Sequence, residues 1–418
     1  ADVAPSCNLI FHRNEVPVSS QTKTLQQRLR ALLGSRTNNL HSASVRILRL
    51  TTCNRAFEIN VDDGLIGDII RGMNLRHLDR IHQLPFITPE EAGAYRMKPP
   101  HWMPHSRLDH SLAHAALMAE LGLRLGLDES LVKLGIALGL LHDSAIRPGG
   151  DSTKNLFGLY GVRDRVDEDD QFMQRLEHYR DAWAGIVHTH GLPQDSVEFL
   201  ARSIRGETVL GQLHELADTL SYLDLDGAAL RTRWTRARIA YISPGTMEAL
   251  QILSQPFGAR VLQSTRLVQT TTGPMVIVDD VEALLELLRA RALLWLNVYT
   301  SSSHKYLEAL YLELIGRELY ELGRLSPDAM QDQGDDWLFR EAEHVFGQAH
   351  LLTKFDAISS RGPEVRHYST REALLEDEVR AFRAKAFTVI GHQRAQARVR
   401  SKTDRYFVER GEGVATLS

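Results

Sequence analysis

The chain has 418 residues, 43% of them hydrophobic, and its formal net charge is −4 at pH 7. This length and apolar content are enough to bury a large core. The small net charge gives no sign of global attraction to nucleic acid or to a membrane surface. Two cysteines occur without metal-site spacing, and no apolar run reaches the ~20 residues that cross a bilayer. We therefore expect a cytoplasmic protein without structural disulfides.

The first 61 residues are predicted to form an N-terminal segment that contains a β-hairpin. TLQQRLRALLG, which ends at Gly34, indicates a short helix. VRILRL at 45–50 and FEINV at 57–61 alternate with the period of two that is typical of half-buried strands. TTCNRA between them predicts the turn.

Two helices predicted between residues 107 and 143 carry residues of metal-binding type. His110 lies in the first, at about 107–126, and the pair His142-Asp143 closes the second, at about 129–143. The second helix is apolar almost throughout, so it should be buried. An imidazole and a carboxylate at the end of a buried helix are costly unless they bind a cation or form hydrogen bonds.

A fourth candidate ligand, Asp218, lies in the apolar helical segment LHELADTLSYLDLD. On this helix Asp218, Tyr222 and Asp226 are spaced by four residues and share one face. Imidazole and carboxylate ligands together suit Zn²⁺, Mn²⁺, Fe or Ni²⁺. The predicted ligands of one divalent ion are His110, His142, Asp143 and Asp218.

The order H…HD…D resembles the signature of the HD phosphohydrolase superfamily. PHSRLDHSL at 104–112 is similar to the entry motif of its deoxynucleoside triphosphate triphosphohydrolases, the dGTPase-like and sterile-alpha-motif HD enzymes. Residues 62–75, DDGLIGDIIRGMNL, resemble the opening strand and turn of that family. The resemblance extends over residues 61–345. It also includes the spacings of Asp218, Tyr222 and Asp226, and of Arg291 and Tyr299.

The predicted helices indicate a mainly α fold with small β-hairpins and a C-terminal helical portion, and the resemblance implies an HD-domain helical core within it. The expected regions are the N-terminal segment 1–61, the HD phosphohydrolase core 62–245 and an α-rich region 246–418. The last region is expected to complete the site and to provide contacts in a homo-oligomer.

The resemblance also implies the chemistry of the site. A divalent ion, whether Mn, Zn, Fe, Ni or Mg, would polarise a phosphoryl oxygen and lower the pKa of a water molecule. A second Mg²⁺ that accompanies the nucleotide is an open alternative. Asp151 would orient or deprotonate the attacking water, and His178 would protonate the departing ester oxygen.

The implied substrate-binding residues are Arg107, Tyr222, Asp226, Arg291 and Tyr299. The two arginines would bind phosphate oxygens through their guanidinium forks. Tyr222 and Asp226 would bind the sugar hydroxyl. Tyr299 would close against the sugar ring and discriminate against a 2′-hydroxyl.

Three positions depart from the triphosphohydrolase pattern. Ile146, Asp151 and Thr219 stand where that family usually has His, His and Lys. Asp151 instead resembles the HD 5′-nucleotidases, which usually have Glu in place of Ile146. The expected activity is hydrolysis of a dNTP to deoxynucleoside and tripolyphosphate. The first alternative is a nucleotidase that acts on nucleoside monophosphates.

The second alternative comes from a different class of protein. It is a nucleotide-sensing or nucleic-acid-binding protein that keeps a weakly active HD site. Ile146 and the Arg-rich segment 231–238, RTRWTRAR, motivate it. A solvated basic helix is the favoured interpretation of that segment, so nucleic acid is not a favoured partner.

Other histidines leave alternatives open. His114 lies one turn after the first predicted ligand, a spacing that permits shared ligation. Packing is favoured for it because the ligand set is complete without it. His101 and His105 are interpreted as loop residues, with a place at the border of the pocket as the alternative. His188 and His190 are assigned to capping or packing, with a second metal site as the alternative.

The remaining segments are predicted from local pattern. Residues 152–170 are expected to form a loop, and QFMQRLEHYRDAWAGIVHTHGLP a helix that ends at Gly191. ARVLQ and PMVIVDD, separated by QTTTG, are expected to be strands. Helices are expected at about 281–299, 304–322, 335–345 and 370–405.

Overall fold

A computed structural model describes residues 20–34, 47–82, 105–162, 168–237, 244–271, 273–299 and 316–347. Within these ranges the chain is mainly α-helical and contains two small antiparallel hairpins, which confirms the predicted fold class. No helix in the described ranges is long and apolar enough to cross a membrane. The predictions for His101, for most of 304–322 and for 370–405 lie outside the described residues.

The helices are numbered in chain order. The first half contains α1 (Ser20–Leu32), α2 (Gly64–Gly72), α3 (Arg107–Arg124), α4 (Glu129–Leu141), α5 (Asp151–Leu159), α6 (Glu168–His178), α7 (Arg180–His190) and α8 (Ser196–Ile204). A 3₁₀ helix, Leu75–Arg80, follows α2. The second half contains α9 (Val209–Ala237), α10 (Pro244–Leu253), α11 (Phe257–Ser264), α12 (Val281–Leu294), α13 (Arg317–Glu321) and α14 (Asp335–Phe346). A π-helical turn, Trp295–Tyr299, continues α12.

The predicted N-terminal hairpin is present. Strands β1 (Ile47–Thr52) and β2 (Arg55–Asn60) pair antiparallel, with Ile47 opposite Asn60 and Thr52 opposite Arg55. The connecting residues Cys53 and Asn54 have φ angles of 50° and 57°. A two-residue turn with both φ angles positive matches the twist of the strands that it joins. The second hairpin pairs β3 (Thr265–Thr270) with β4 (Gly273–Val278).

The prediction of a strand and turn at residues 62–75 is wrong. Most of this segment is α2, and its buried residues include Leu65, Ile66, Ile69 and Ile70. These positions repeat with the helical period and not with the strand period. Asp63 caps the helix by accepting a hydrogen bond of 2.8 Å from the backbone N–H of Gly64.

Two other local predictions are also wrong. ARVLQ belongs to α11, whose buried residues Gly258, Val261 and Leu262 lie on one helical face. A short apolar run does not distinguish a strand from a helix by itself. The segment predicted as a loop from residue 152 begins with α5, in which Leu156 and Phe157 are fully buried. The acidic composition of the following residues concealed this short apolar face.

The centre of the fold is the packing of α3 and α4 against each other and against α9. Their buried residues belong to one apolar cluster that extends along the chain from Leu33 to Val298. Gly139 on α4 permits the close approach to α3, because a Cβ there would lie 2.7 Å from the Cα of Ala115. The end of α4 therefore places the pair His142-Asp143 inside the protein and not on its surface.

A polar network attaches the segment before α14 to the core. Asp332 accepts hydrogen bonds of 2.6 Å from Arg175 Nη1 and 2.8 Å from the hydroxyl of Tyr179. His77 is buried beside them, and its Nδ1 donates a 2.8 Å hydrogen bond to the carbonyl of Asn74. Burial, followed by the charge of Arg175, lowers the pKa of His77 from 6.5 to about 4.

We expect His77 to make folding stability depend on pH in weak acid. The unfolded chain binds the proton with an ordinary pKa near 6.5, so stability is lost as the pH falls from that value towards 4. The complete loss corresponds to about 3 kcal/mol. Urea denaturation at several pH values should show a smaller loss in His77→Asn than in the wild type. Equal pH dependence in the two proteins would contradict this account.

Candidate metal centre

Three helices bring the predicted ligands together. His110 lies near the start of α3, His142 and Asp143 directly follow α4, and Asp218 lies on α9. The Nε2 atoms of His110 and His142 are 3.1 Å apart. Asp218 Oδ1 is 3.2 Å from the first nitrogen and 3.7 Å from the second. Oxygens of Asp143 are 3.8 and 3.5 Å from the same two nitrogens.

Contacts behind the two imidazoles select their tautomers. His142 Nδ1 lies 2.9 Å from the carbonyl of Gly139, which can only accept a hydrogen bond. The hydroxyl of Ser221 donates to the carbonyl of Asp218 at 2.9 Å, and is 3.3 Å from His110 Nδ1, from which it can accept. In neutral rings with the proton on Nδ1, both Nε2 atoms carry lone pairs. The two Nε2 atoms and the carboxylates therefore face one another as ligands without hydrogens.

Both carboxylates of the cluster are ionised at neutral pH. Burial opposes ionisation of Asp143, but the adjacent imidazole of His142 and the positive charge of Arg107 hold its pKa below the usual range. Burial also opposes ionisation of Asp218, but the neighbouring imidazoles of His110 and His142 hold its pKa well below the usual range. Arg107 Nη1 donates a 2.9 Å hydrogen bond to Asp143. This guanidinium is nearly buried, so it holds a fixed positive charge against Asp143 at the edge of the cluster.

The cluster has the residues and the spacing to hold a metal ion. One ligand atom from each of His110, His114, His142 and Asp218 lies within 4.8 Å of the others. Two nitrogens bound to the same tetrahedral Zn²⁺ are about 3.3 Å apart. The separation of 3.1 Å between the His110 and His142 Nε2 atoms is close to that spacing. His114, for which packing was favoured, lies inside this group.

A second set of predicted residues lies further along α9. The hydroxyl of Tyr299 donates a 2.6 Å hydrogen bond to Asp226. The guanidinium carbon of Arg291 lies 5.9 Å from the centre of the Tyr222 ring. Burial raises the pKa of Tyr222 to about 12, so this phenol keeps its proton. His105 Nε2 is 3.0 Å from Asp226, which agrees with the alternative that His105 borders the pocket.

The loop that follows His142 and Asp143 is contacted by Arg107 and by Asp335. Asp151 begins α5 with its side chain 76% exposed, and Arg107 Nη2 lies 3.8 Å from its carboxylate. Asp335, the first residue of α14, accepts hydrogen bonds from the backbone N–H groups of Gly149 and His82 at 2.8 and 3.0 Å. The contact with Gly149 fixes the backbone two residues before Asp151. The start of α14 thus contributes to the position of a predicted catalytic residue.

The structure does not bring every predicted residue to the cluster. His178 is exposed at the end of α6 and stacks edge-on with Tyr179, at 4.7 Å between ring centres. His190 pairs with Asp68 at 2.7 Å, and His188 is exposed. Among the described residues, the cluster around His142 is the only group with metal-ligand spacing. The roles of the ligands, of Asp151 and of His178 remain predictions.

Solved structures contain the same arrangement of helices. The chain is similar to a phosphohydrolase from Bacteroides thetaiotaomicron, with 19% identity and a TM-score of 0.53 over 76% of this chain and 77% of that chain. The two proteins share a fold. No protein-family model and no curated protein matches the sequence. At this identity the likeness establishes the fold alone.

Sequence reasoning missed the residues that surround the ligands. Ser221 supports His110 across 111 positions of sequence. His214 lies 3.1 Å from His114 across 100 positions. Their spacing on α9, three residues after Asp218 and four before it, places them near the same face and was a usable signal. Gly139 gave no signal, because its role depends on how closely α3 approaches.

Proposed function

We propose that the protein is a metal-dependent phosphohydrolase that converts a dNTP to a deoxynucleoside and tripolyphosphate. One observation carries the proposal. The unprotonated Nε2 atoms of His110 and His142 converge with the carboxylate of Asp218, beside the buried charge of Arg107. Converging ligands of this kind suit a divalent cation, and the adjacent guanidinium suits an anionic substrate. The fold shared with a phosphohydrolase supports the same class of reaction.

Two guanidinium groups, each with a buried nitrogen, are suited to bind the phosphates. Arg107 Nε and Arg291 Nη1 are buried and have no hydrogen-bond partner in the described part of the chain. Buried donors of this kind are normally satisfied, so an absent acceptor is indicated. The oxygens of a polyphosphate would supply acceptors for both. When bound, a divalent ion would polarise a phosphoryl oxygen and lower the pKa of a water molecule.

The residues along α9 are suited to bind the sugar. Asp226 is 1% exposed, and the hydroxyl of Tyr299 already donates to one of its oxygens. Its other oxygen is buried and lies 3.0 Å from His105 Nε2, but it has no well-aligned donor among the described residues. A sugar hydroxyl would provide that donor. Because Asp218 and Asp226 are two turns apart on one helix, the phosphate and the sugar would lie side by side along α9.

A nucleotidase that acts on nucleoside monophosphates is the second candidate. Asp151 is positioned beside Arg107, whereas Ile146 is 1% exposed and offers no polar group. The site therefore lacks the contact that a His in place of Ile146 would make. Binding of a monophosphate would depend less on that missing contact than binding of a triphosphate. The choice between the candidates depends on the number of phosphates that the substrate carries.

Product analysis distinguishes these functions. Purified protein of measured metal content would be incubated with each dNTP, NTP and dNMP in the presence of Mn²⁺, and the products separated by chromatography. We expect tripolyphosphate and deoxynucleoside from at least one dNTP, and neither from Asp143→Ala. Orthophosphate from monophosphates alone would identify a nucleotidase. Nucleotide binding without any product would favour a sensor.

Tyr299→Phe should reduce catalytic efficiency without unfolding the protein. The variant removes the hydroxyl that donates to Asp226 and leaves the ring in place. We expect kcat/KM for the preferred nucleotide to fall about tenfold, because a hydrogen bond to a charged group contributes about 1.5 kcal/mol or more. Tyr179→Phe is the matched control, since it removes a similar hydrogen bond to Asp332. Equal kinetic effects in the two variants would contradict a substrate role for Tyr299.

A further inference from the structure

His114 occupies an unusual position beside the predicted ligands. It lies on α3 one turn after His110, and its side chain is completely buried. Its ring centre is 4.5 Å from that of His142, and the two rings meet edge to face at 69°. One of its nitrogens lies within 4.8 Å of ligand atoms of His110, His142 and Asp218. The ring is therefore near enough to contribute to the same centre.

His214 lies directly behind His114. The two rings are stacked, with centres 4.8 Å apart and an angle of 14° between their planes. His214 Nδ1 is 3.1 Å from His114 Nε2. His214 is also one turn before Asp218 on α9. Helix α3 thus presents His110 and His114 one turn apart, and α9 presents His214 and Asp218 one turn apart. The four side chains meet between the two helices.

Packing alone does not explain a histidine at this position. The neighbours of His114 along α3, including Ala113, Ala115, Leu117 and Met118, are apolar and buried. His114 Nδ1 is buried without a hydrogen-bond partner among the described residues. A buried polar atom without a partner is unfavourable, and an apolar side chain would avoid that cost. An ion that binds the ring would account for the use of histidine.

We infer that His114 is a further direct ligand of the metal centre and that His214 is the outer residue that orients its ring. This inference rests on the proposed function, because it concerns the same centre. The ligand set then contains the imidazoles of His110, His114 and His142, together with carboxylate. A set with three imidazoles favours Zn²⁺, Fe²⁺, Co²⁺ or Ni²⁺ over Mg²⁺. A histidine ligand commonly hydrogen-bonds through its other nitrogen to a neighbour that fixes its orientation, which is the place that His214 occupies.

Pulsed electron paramagnetic resonance of the Cu²⁺-loaded full chain tests the inference. The remote ring nitrogens modulate the signal according to the number of coordinated imidazoles. We expect three imidazoles in the wild type and two in His114→Asn. Two in the wild type would overturn the inference, and this result does not depend on whether any variant folds. An unchanged count in folded His114→Asn would overturn it as well.

Affinity for Zn²⁺, measured by competition with a chelator, tests the role of His214. His214→Asn should keep three imidazoles and bind Zn²⁺ about 10- to 100-fold more weakly. His188→Asn, which changes an exposed histidine on α7, should bind Zn²⁺ as the wild type does. Unchanged affinity in His214→Asn would overturn the assignment of His214.

The inference and the proposed function fail in different ways. If the centre binds metal through three imidazoles but no nucleotide is hydrolysed, the function is wrong and the ligand assignment stands. If nucleotides are hydrolysed by a centre with two imidazoles, the function stands and the ligand assignment is wrong.

Discussion

Asp218→Asn is expected to lower nucleotide hydrolysis by on the order of 10³-fold, because a lost metal ion removes several kcal/mol of transition-state stabilisation. Asn has nearly the shape of Asp but carries no charge. Asp218 lies on the α9 side of the cluster, with Oδ1 at 3.2 Å from Nε2 of His110 and 3.7 Å from Nε2 of His142. We expect the purified variant to retain little metal after dialysis, as measured by elemental analysis.

Asp224→Asn provides the matched control for this prediction. Asp224 lies on the same helix and is also partly buried, but it accepts a 3.0 Å hydrogen bond from the backbone of Cys53, outside the cluster. The Asn side chain can keep that acceptor. We expect Asp224→Asn to hydrolyse nucleotides and bind metal as the wild type does. Equal losses of hydrolysis and metal binding in both variants would show that the effect arises from a disturbed α9 and not from the removal of a metal ligand.

Gly139→Ala is expected to lower the free energy of unfolding by about 3 kcal/mol, the upper part of the range for overpacked cores. The added Cβ would lie 2.7 Å from the Cα and N of Ala115, and 3.1 Å from the carbonyl carbon of His114. These are backbone atoms of α3, so the contact can be relieved only by moving one helix. The carbonyl of Gly139 also holds His142. We therefore expect metal affinity to fall together with stability.

Gly135→Ala is the matched control, one turn earlier on α4. The nearest atom to a Cβ there is the terminal methyl of Met118 at 3.4 Å, a side chain that can adjust. Replacing Gly by Ala inside a helix stabilises it by up to about 1 kcal/mol. Urea denaturation should show Gly135→Ala to be as stable as the wild type or slightly more stable. Similar destabilisation of both variants would contradict the specific contact at Gly139.

The sequence contained most of what defines the cluster. His110, His142, Asp143 and Asp218 were found from residue type, helical period and the H…HD…D order, and the structure brings them together. The mainly α fold and the N-terminal hairpin were also predictable, because strand and helix periods are local properties of the chain. For the second hairpin only β4 was predicted as a strand, since ARVLQ belongs to α11. Residues 62–75 show the limit of resemblance, since their own apolar spacing indicates a helix where the family pattern suggested a strand.

The contacts around the ligands could not be read from local pattern. The pairs Ser221 with His110 and Asp335 with Gly149 join residues separated by 111 and 186 positions. Each contact depends on the packing of whole helices, so the identity of one residue does not indicate its partner. His114 illustrates the same limit. The spacing of His114 from His110 is visible in the sequence and does not by itself distinguish packing from metal binding. The stacking of His214 behind it, which favours a ligand role, is visible only in the structure.

Hydrolysis in ¹⁸O-labelled water is the most direct test of the central claim, that this centre cleaves nucleotides by attack of water on phosphorus. The metal-loaded protein would be incubated with the preferred dNTP, and both products analysed by mass spectrometry. We predict one ¹⁸O atom in the tripolyphosphate and none in the deoxynucleoside, with no reaction after removal of the metal. Label in the deoxynucleoside, or equal hydrolysis by the metal-free protein, would contradict the account.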